Sequence, residues 1–240
     1  FRTRFVYAFL LVTMLLPFAG IQAQDIAGIV RQARLKLEKV NDYEAKGRMK
    51  TNVTFLKVPV ATVKIYFKKP NRLKLKSEKG VSFIPKGAVS INLNSLLQES
   101  AFTIIDAGEE RIDGVNVRIA KLLPNDDNSE VVLSTLYIDP VALLVRKAKT
   151  TTRENGSYEL EMKYGKYADY GLPDKILFSF NTKDYKLPKG VTFDFDDGSS
   201  QPKPASGLPK NKKGRAEIVI SQYTINQGIP DAVFLETKTR

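Results

Sequence analysis

The chain has 240 residues, 38 lysines and arginines against 26 aspartates and glutamates, and a formal net charge of +12. It contains no cysteine and no histidine, which excludes disulfides, thiolate metal sites and the Ser-His or Cys-His pairs of nucleophilic enzymes. The positive charge favours anionic partners such as lipid headgroups or an acidic protein surface. Nucleic acid is the least favoured partner, because the basic residues are spread along predicted strands.

Residues 1–23 predict a secretory signal peptide. Arg2 and Arg4 precede an apolar run, and a region of small residues ends at Ala23. This order is typical of a cleaved signal, and the apolar run is too short to span a bilayer. We therefore expect an exported mature chain of residues 24–240, stabilised by core burial without disulfides.

A helix is predicted immediately after this segment. Asp25 is a candidate N-cap, and apolar residues follow at helical spacing as far as Val40, with basic residues on the opposite face. Such a helix is expected to pack its apolar face against a sheet.

The stretch from Tyr43 to Ser77 predicts three antiparallel strands. Its apolar residues fall on alternate positions, while lysines and arginines take the other parity. Successive side chains of a strand point to opposite faces, so the pattern indicates a sheet with one apolar and one basic face. Its aromatic residues fit either a ligand cavity or an ordinary core.

The segment from Val81 to Ile105 has few charges and places Leu93, Leu96 and Leu97 at the spacing of a short helix. A segment of this kind is either packed into the core or acts as a mobile lid over something apolar. Both interpretations stay open from the sequence.

The rest of the chain predicts a meander of short strands. Strand patterns recur with short turns between them, which favours one antiparallel sheet over βαβ units. The segment from Asp196 to Gly214 is rich in Gly, Pro, Ser and Lys and predicts a flexible insertion. The predicted strands are 102–106, 115–123, 131–138, 143–152, 158–164, 176–180 and 216–226.

Three acidic pairs are candidate catalytic groups: Glu109-Glu110, Asp126-Asp127 and Asp196-Asp197. Paired carboxylates that do chemistry must converge on one cleft, whereas adjacent residues of a strand point apart and loop residues face solvent. No phosphate-binding loop or metal-ligand spacing is present. We expect no enzyme activity, no metal and no cofactor.

The run from Leu37 to Ala45 leads from the predicted helix into the first strand, and the run from Phe67 to Asn71 forms a basic-basic-Pro turn. Both runs resemble the corresponding parts of periplasmic lipoprotein carriers of the LolA type and their LolB-like relatives. Similar pieces recur at Ile138–Pro140, Leu187–Val191 and Asn226–Asp231. The likeness spans most of the mature chain.

The resemblance implies an α+β fold in which a strongly curved antiparallel sheet, an incomplete barrel, has helices over its concave face. It implies a single domain over residues 24–240, with the insertion at 196–214. The concave face would bind acyl chains, with a lining of Met49, Val53, Val63, Ile65 and Phe67 and a lid of Leu93, Leu96 and Leu97. The family has an arginine before the proline, where this chain has Lys69, and lysine lacks the planar fork of donors that arginine offers.

The resemblance also implies a function. We expect a monomeric periplasmic carrier that shields the acyl chains of lipoproteins or lipids and delivers them towards the outer membrane, in transient contact with a membrane-bound donor and acceptor. Each exposed acyl methylene costs about 0.8 kcal/mol in water, so such cargo needs a dry site. The alternative is a sensing or regulatory domain on the same fold that binds lipoprotein or a protein partner in the envelope.

Overall fold

The structure is a computed structural model, and it describes residues 25–53, 56–57, 60–70, 72–77, 101–154, 156–181 and 213–235. The predicted signal peptide and the leucines of the predicted lid lie outside the described residues, as does most of the predicted insertion. Among the described residues, no helix is long and apolar enough to cross a membrane.

One α-helix, α1 (Ile26–Glu38), precedes the sheet, as predicted. Its buried residues are spaced so that they share one face: Ile26, Ile29, Val30, Ala33 and Leu37. The expected cap is wrong in its detail, because the Asp25 carboxylate makes no capping hydrogen bond and only the Asp25 carbonyl accepts from the Ile29 amide.

In the part of the chain that the structure describes, eleven strands form a single antiparallel sheet. The order is β4-β3-β1-β11-β10-β9-β8-β7-β6-β5, with β2 paired to β1 beside this path. β4 and β5 lie at opposite ends of the path, so the described sheet does not close. The strands are β1 (Asp42–Val53), β2 (Leu56–Lys57), β3 (Ala61–Lys68), β4 (Arg72–Ser77), β5 (Phe102–Ile112), β6 (Val115–Pro124), β7 (Val131–Asp139), β8 (Leu144–Thr152), β9 (Gly156–Lys163), β10 (Lys175–Asn181) and β11 (Lys213–Ile225).

Side-chain alternation gives the sheet an apolar inner face and a charged outer face. On β1, Ala45 and Met49 are buried while Lys46, Arg48 and Lys50 are exposed, as the period of two predicted. Helix α1 packs on the inner face of β5, β6 and β7. The hydrophobic cluster that it joins continues through β8, β9 and β10 as far as Ala216 of β11. The curved open sheet covered by a helix is therefore the architecture expected from the sequence.

β11 begins earlier than predicted. Its first residue is Lys213, so Lys213 and Gly214 belong to the strand and not to the predicted insertion. The Phe180 ring explains why a glycine occupies this position, because a Cβ on Gly214 would clash with the Phe180 ring. From the sequence, Gly214 resembles the other glycines of the predicted loop. In the structure it is a strand residue whose missing side chain leaves space for the Phe180 ring of β10.

Candidate functional site

The candidate site is the inner face of β1, β3 and β4, beside the part of the sheet that α1 covers. Antiparallel register places its side chains in rows: Tyr43 opposite Phe67, Ala45 opposite Ile65, Gly47 opposite Val63 and Met49 opposite Ala61. β4 extends these rows with Leu73 and Leu75. No charged side chain occupies an inner position of these rows.

The structure brings together four of the predicted lining residues. Met49, Val63, Ile65 and Phe67 share this face with exposed fractions of 2%, 0%, 7% and 2%. Val53 is the last residue of β1, and the position of its side chain lies outside the description, as do the lid residues Leu93, Leu96 and Leu97.

The lining divides into two adjoining clusters. Met49 and Val63 pack with Ala61, and Leu75 and Ile218 are half-buried against them. Ile65 and Phe67 belong to the second cluster, which lies towards the start of β1 and contains Val40, Ala45, Leu172, Ile220 and Tyr223. Neither cluster includes a residue of α1, so α1 covers a different part of the inner face.

Aromatic rings fill one end of the second cluster. The Tyr43 ring stacks on Phe67 with centroids 5.3 Å apart and meets Tyr223 edge-on at 5.3 Å, and Tyr167 meets Tyr223 at 4.9 Å. The Tyr223 hydroxyl donates to the Pro173 carbonyl at 2.8 Å. Burial raises the pKa of both the Tyr43 and Tyr223 phenols above the ordinary value, so both stay neutral in the physiological range.

Sequence analysis did not single out Tyr223 or Tyr167. β11 has a bulge, because Lys46 pairs with Gln222 while the next residue, Gly47, pairs with Ile220. Ile220 and Tyr223 are therefore both buried although three positions separate them, which strict alternation assigns to opposite faces. The bulge left no clear signal in the sequence.

Lys69 lies at the end of the sheet where α1 finishes. Its Nζ donates to the Glu38 carbonyl at 2.7 Å and to the Asn41 Oδ1 at 3.3 Å, and its peptide bond to Pro70 is cis. A positive charge beside the last carbonyls of a helix satisfies unpaired acceptors and complements the helix dipole. Lys69 thus ties the end of β3 to the C-terminal end of α1.

Asn226 and Asp42 reinforce the same junction. The Asn226 Oδ1 accepts from the Asn41 amide at 2.7 Å, and its Nδ2 donates to the Lys39 carbonyl at 2.8 Å. The buried Asp42 carboxylate accepts from the Gln227 amide at 3.1 Å and the Gly228 amide at 3.0 Å. The segment after β11 is therefore bonded to both the helix end and the first strand.

The turn between β7 and β8 holds a buried ion pair. Asp139 accepts from the Val141 and Ala142 amides at 3.0 and 2.8 Å and from the Arg146 guanidinium at 2.8 Å. Burial alone would raise the pKa of the Asp139 carboxyl, but the Ala142 amide, Arg146 and the Val141 amide together hold the pKa below its usual range. A cavity of about 10 Å³ beside this turn, lined by Leu37 and Tyr164 among others, has room for one water at most and for no acyl chain.

Three buried hydroxyl groups lie together on the inner face of β7, β8 and β9. The Ser134 and Thr150 hydroxyls are 2.9 Å apart, and Tyr158, the neighbour of Thr150 across β8 and β9, completes the group. Burial raises the pKa of the Tyr158 phenol to about 12. By contrast, the buried Thr51 Oγ1 on β1 has no hydrogen-bond partner in the described structure. The inner face of β1, β3 and β4 thus offers an apolar ligand little competition from polar pairs.

The carboxylate pairs do not form a catalytic site in the described part of the chain. Glu109 and Glu110 are exposed on β5, Asp126 and Asp127 are exposed beyond β6, and Asp196-Asp197 lies outside the described residues. Within the ranges that the structure describes, no group of His, Cys, Asp or Glu is arranged to hold a metal ion.

Comparison with known proteins gives fold relatives only. No family model and no curated protein matches the sequence. A LolA superfamily protein from Nitrosomonas europaea matches with a TM-score of 0.53 at 10% identity, over 87% of this chain and 96% of that one. An outer membrane lipoprotein-sorting protein domain from Vibrio parahaemolyticus gives 0.51 at 12%, over 87% and 95%. A DUF1329 family protein from Desulfovibrio piger gives 0.51 at 12%, over 87% and 96%.

These likenesses agree with the resemblance drawn from the sequence. The structural likeness extends over most of each chain. The chain shares the fold of these solved structures.

Proposed function

We propose that this protein is a LolA-like periplasmic carrier, not an enzyme, that binds acyl chains on the inner face of β1, β3 and β4 and delivers acylated lipoproteins or lipids towards the outer membrane. The observation that supports it best is the uncharged, largely apolar inner surface of these strands in a described sheet that does not close. The fold likeness to a lipoprotein-sorting domain gives independent support.

The chemistry of the face suits a reversible carrier. Each methylene moved from water to this surface is stabilised by about 0.8 kcal/mol, so a long acyl chain gains affinity without a directional anchor. Because the inner rows of β1, β3 and β4 carry no charge, release at an acceptor needs no ion pair to break. Met49 adds an unbranched, adaptable side chain that fits irregular apolar ligands.

Binding requires displacement of the present neighbours of the lining. Met49 and Val63 are almost fully buried, so an acyl chain reaches them only if the material over that face moves aside. We propose that the low-charge segment with Leu93, Leu96 and Leu97 supplies this cover. The proposal for these leucines rests on their sequence pattern alone.

Lipid loading and transfer test the function. The mature chain is purified, incubated with a radiolabelled acylated peptide and examined by native mass spectrometry. It is then mixed with acceptor vesicles to measure transfer. We expect a mass increase of one ligand and a rate of transfer above that of free peptide. A protein that never takes up acyl ligand, yet captures one stable protein partner, would replace the carrier by the sensing alternative.

A further inference from the structure

One end of the candidate site is built from aromatic rings. We define the aromatic cluster as Tyr43, Phe67 and Tyr223, whose rings meet in two pairs with centroids 5.3 Å apart. Aromatic pairs in stacked and edge-on geometries attract one another beyond the burial of their surface. The inner positions further along β1 and β3 carry no ring, from Ala45 to Met49 and from Ile65 to Ala61. The lining therefore changes from rings to flexible or small side chains along the direction of the strands.

Hydrogen bonds hold the aromatic cluster in place. The Tyr223 hydroxyl donates to the Pro173 carbonyl at 2.8 Å, and the Tyr223 amide donates to the Tyr167 hydroxyl oxygen at 3.3 Å. Both partners belong to the connection between β9 and β10, so Tyr223 is fixed by a segment outside β1, β3 and β11. Displacing a buried, hydrogen-bonded tyrosine leaves polar groups unpaired, which is costly. An apolar ligand therefore displaces these rings less readily than it displaces Met49.

The chain beyond the aromatic cluster is polar and closed by hydrogen bonds. Asn41 lies two residues before Tyr43, Lys69 lies two residues after Phe67, and the Lys69 Nζ donates to the Asn41 Oδ1 at 3.3 Å. The Lys69 amide also donates to the Asn41 carbonyl at 2.8 Å. Val40, which precedes this pair, is 2% exposed and packs in the same hydrophobic cluster as Phe67 and Tyr223. The apolar rows of β1 and β3 therefore end at the aromatic cluster.

We propose that the aromatic cluster limits the length of acyl chain that the protein accepts, with the methyl end of the chain against the rings. The inference rests on the proposed function for the acyl site itself. A polar head group must stay in water, whereas Phe67 and Tyr223 are only 2% and 8% exposed. The head group therefore lies at the other end of the rows.

The register gives the scale of the limit. From Tyr43 to Met49 the strand advances six residues, or roughly 20 Å, which is comparable with an extended long-chain acyl group. Each methylene that finds room on the apolar rows raises the affinity about fourfold. Methylenes beyond the limiting length stay in water and add no affinity.

A series of acyl lengths tests the limit. One peptide is acylated with saturated chains of even length from octanoyl to docosanoyl, and each product is titrated into the protein in a calorimeter. We expect the affinity to rise about fourfold per methylene up to a limiting length and then to level off or fall. A rise that continues to the longest chain would overturn the proposal.

Substitution of one ring should move the limit. In Phe67→Leu the rows are open further towards Asn41, so we expect the limiting length to move to a longer member of the series. The matched control is Phe178→Leu, which removes a ring of similar burial that packs 5.7 Å from Tyr158 in the helix-covered cluster. The control should keep the original limit. An unchanged limit in Phe67→Leu, or an equal shift in both variants, would contradict the proposal.

The orientation of the chain is tested with a fluorescent variant. The sequence contains no tryptophan, so Phe67→Trp introduces a single indole at the aromatic cluster. Fatty acids with bromine on the terminal carbon should quench its fluorescence, whereas those with bromine beside the carboxyl group should not, because the quencher must contact the indole. Phe178→Trp is the control and should be quenched by neither. Quenching by the carboxyl-side bromine alone would reverse the orientation and overturn the proposal.

These outcomes separate the length limit from the proposed function. Uptake of acyl chains with no limiting length refutes the role of the aromatic cluster and leaves the carrier function standing. Failure to take up a chain of any length refutes the carrier function, and with it the length limit.

Discussion

Lys69 shows how a single side chain joins two elements. Its ammonium reaches the Glu38 carbonyl at the end of α1 from the end of β3, and its contact with Asn41 holds the linking residues between them. An arginine at this place would offer more donors in a fixed plane, whereas lysine offers a flexible point charge. The residue therefore anchors the helix end while leaving its geometry adjustable.

Substitutions of Lys69 should distinguish the contribution of its charge to stability from the contribution of its side-chain volume. We expect Lys69→Met to lower the free energy of unfolding by about 1 to 2 kcal/mol, because the helix-end carbonyl loses a charged donor. Lys69→Arg should keep most of the stability. Urea denaturation of the two variants measures this, with Lys50→Met on the exposed outer face as the control. Equal stability of Lys69→Met and the unmodified chain would contradict the assignment.

At the scale of elements, the β7–β8 turn is fixed by charge. The Asp139 carboxylate bonds two amides of the turn and the Arg146 guanidinium, and Lys36 of α1 donates to the Ala142 carbonyl at 2.6 Å. The same turn thus fixes the strand connection and contacts the helix. Protonation of the Asp139 carboxylate in acid removes the negative charge on which this junction depends.

The lowered pKa of Asp139 determines how the contribution of this residue to the free energy of unfolding changes with pH. A carboxyl whose pKa is lower in the folded state stabilises fully above its unfolded pKa of about 3.9, and this stabilisation is lost as pH falls through the folded value. We expect Asp139→Asn to destabilise the protein at pH near 7 and to cost much less in strong acid. Urea unfolding of both proteins across this pH range provides the measurement. A constant difference between them would show that the carboxylate charge is not involved.

Local patterns predicted the elements well, and tertiary contacts explain where they failed. Alternation located Met49, Val63 and Phe67 on one face because a strand repeats every two residues. It could not place Tyr223, because the bulge opposite Lys46 and Gly47 shifts the parity within β11. The start of β11 was missed for a related reason: Gly214 is selected by the Phe180 ring of another strand. The role of Lys69 at the helix end likewise depends on packing that no local pattern reveals.

At the scale of the whole molecule, the inner face of the sheet has two parts. β1, β3 and β4 carry an apolar inner face, and α1 packs on β5, β6 and β7 through a separate hydrophobic cluster. The Ser134, Thr150 and Tyr158 hydroxyl group lies in the helix-covered part, which is therefore suited to permanent packing. The inner face of β1, β3 and β4, whose rows carry no charged side chain, is suited to an exchangeable apolar ligand.

The account depends on acyl chains reaching the inner face of β1 and β3. Cross-linking with a photoreactive fatty acid tests this directly, because it marks the side chains that the bound chain touches. The mature protein is loaded with a diazirine analogue of palmitic acid, irradiated and mapped by peptide mass spectrometry. We predict adducts at Met49 and between Val63 and Phe67, with none at the helix-covered Leu136 or Ala148. Adducts confined to the outer face or to the helix-covered strands, or no adduct at all, would contradict the account.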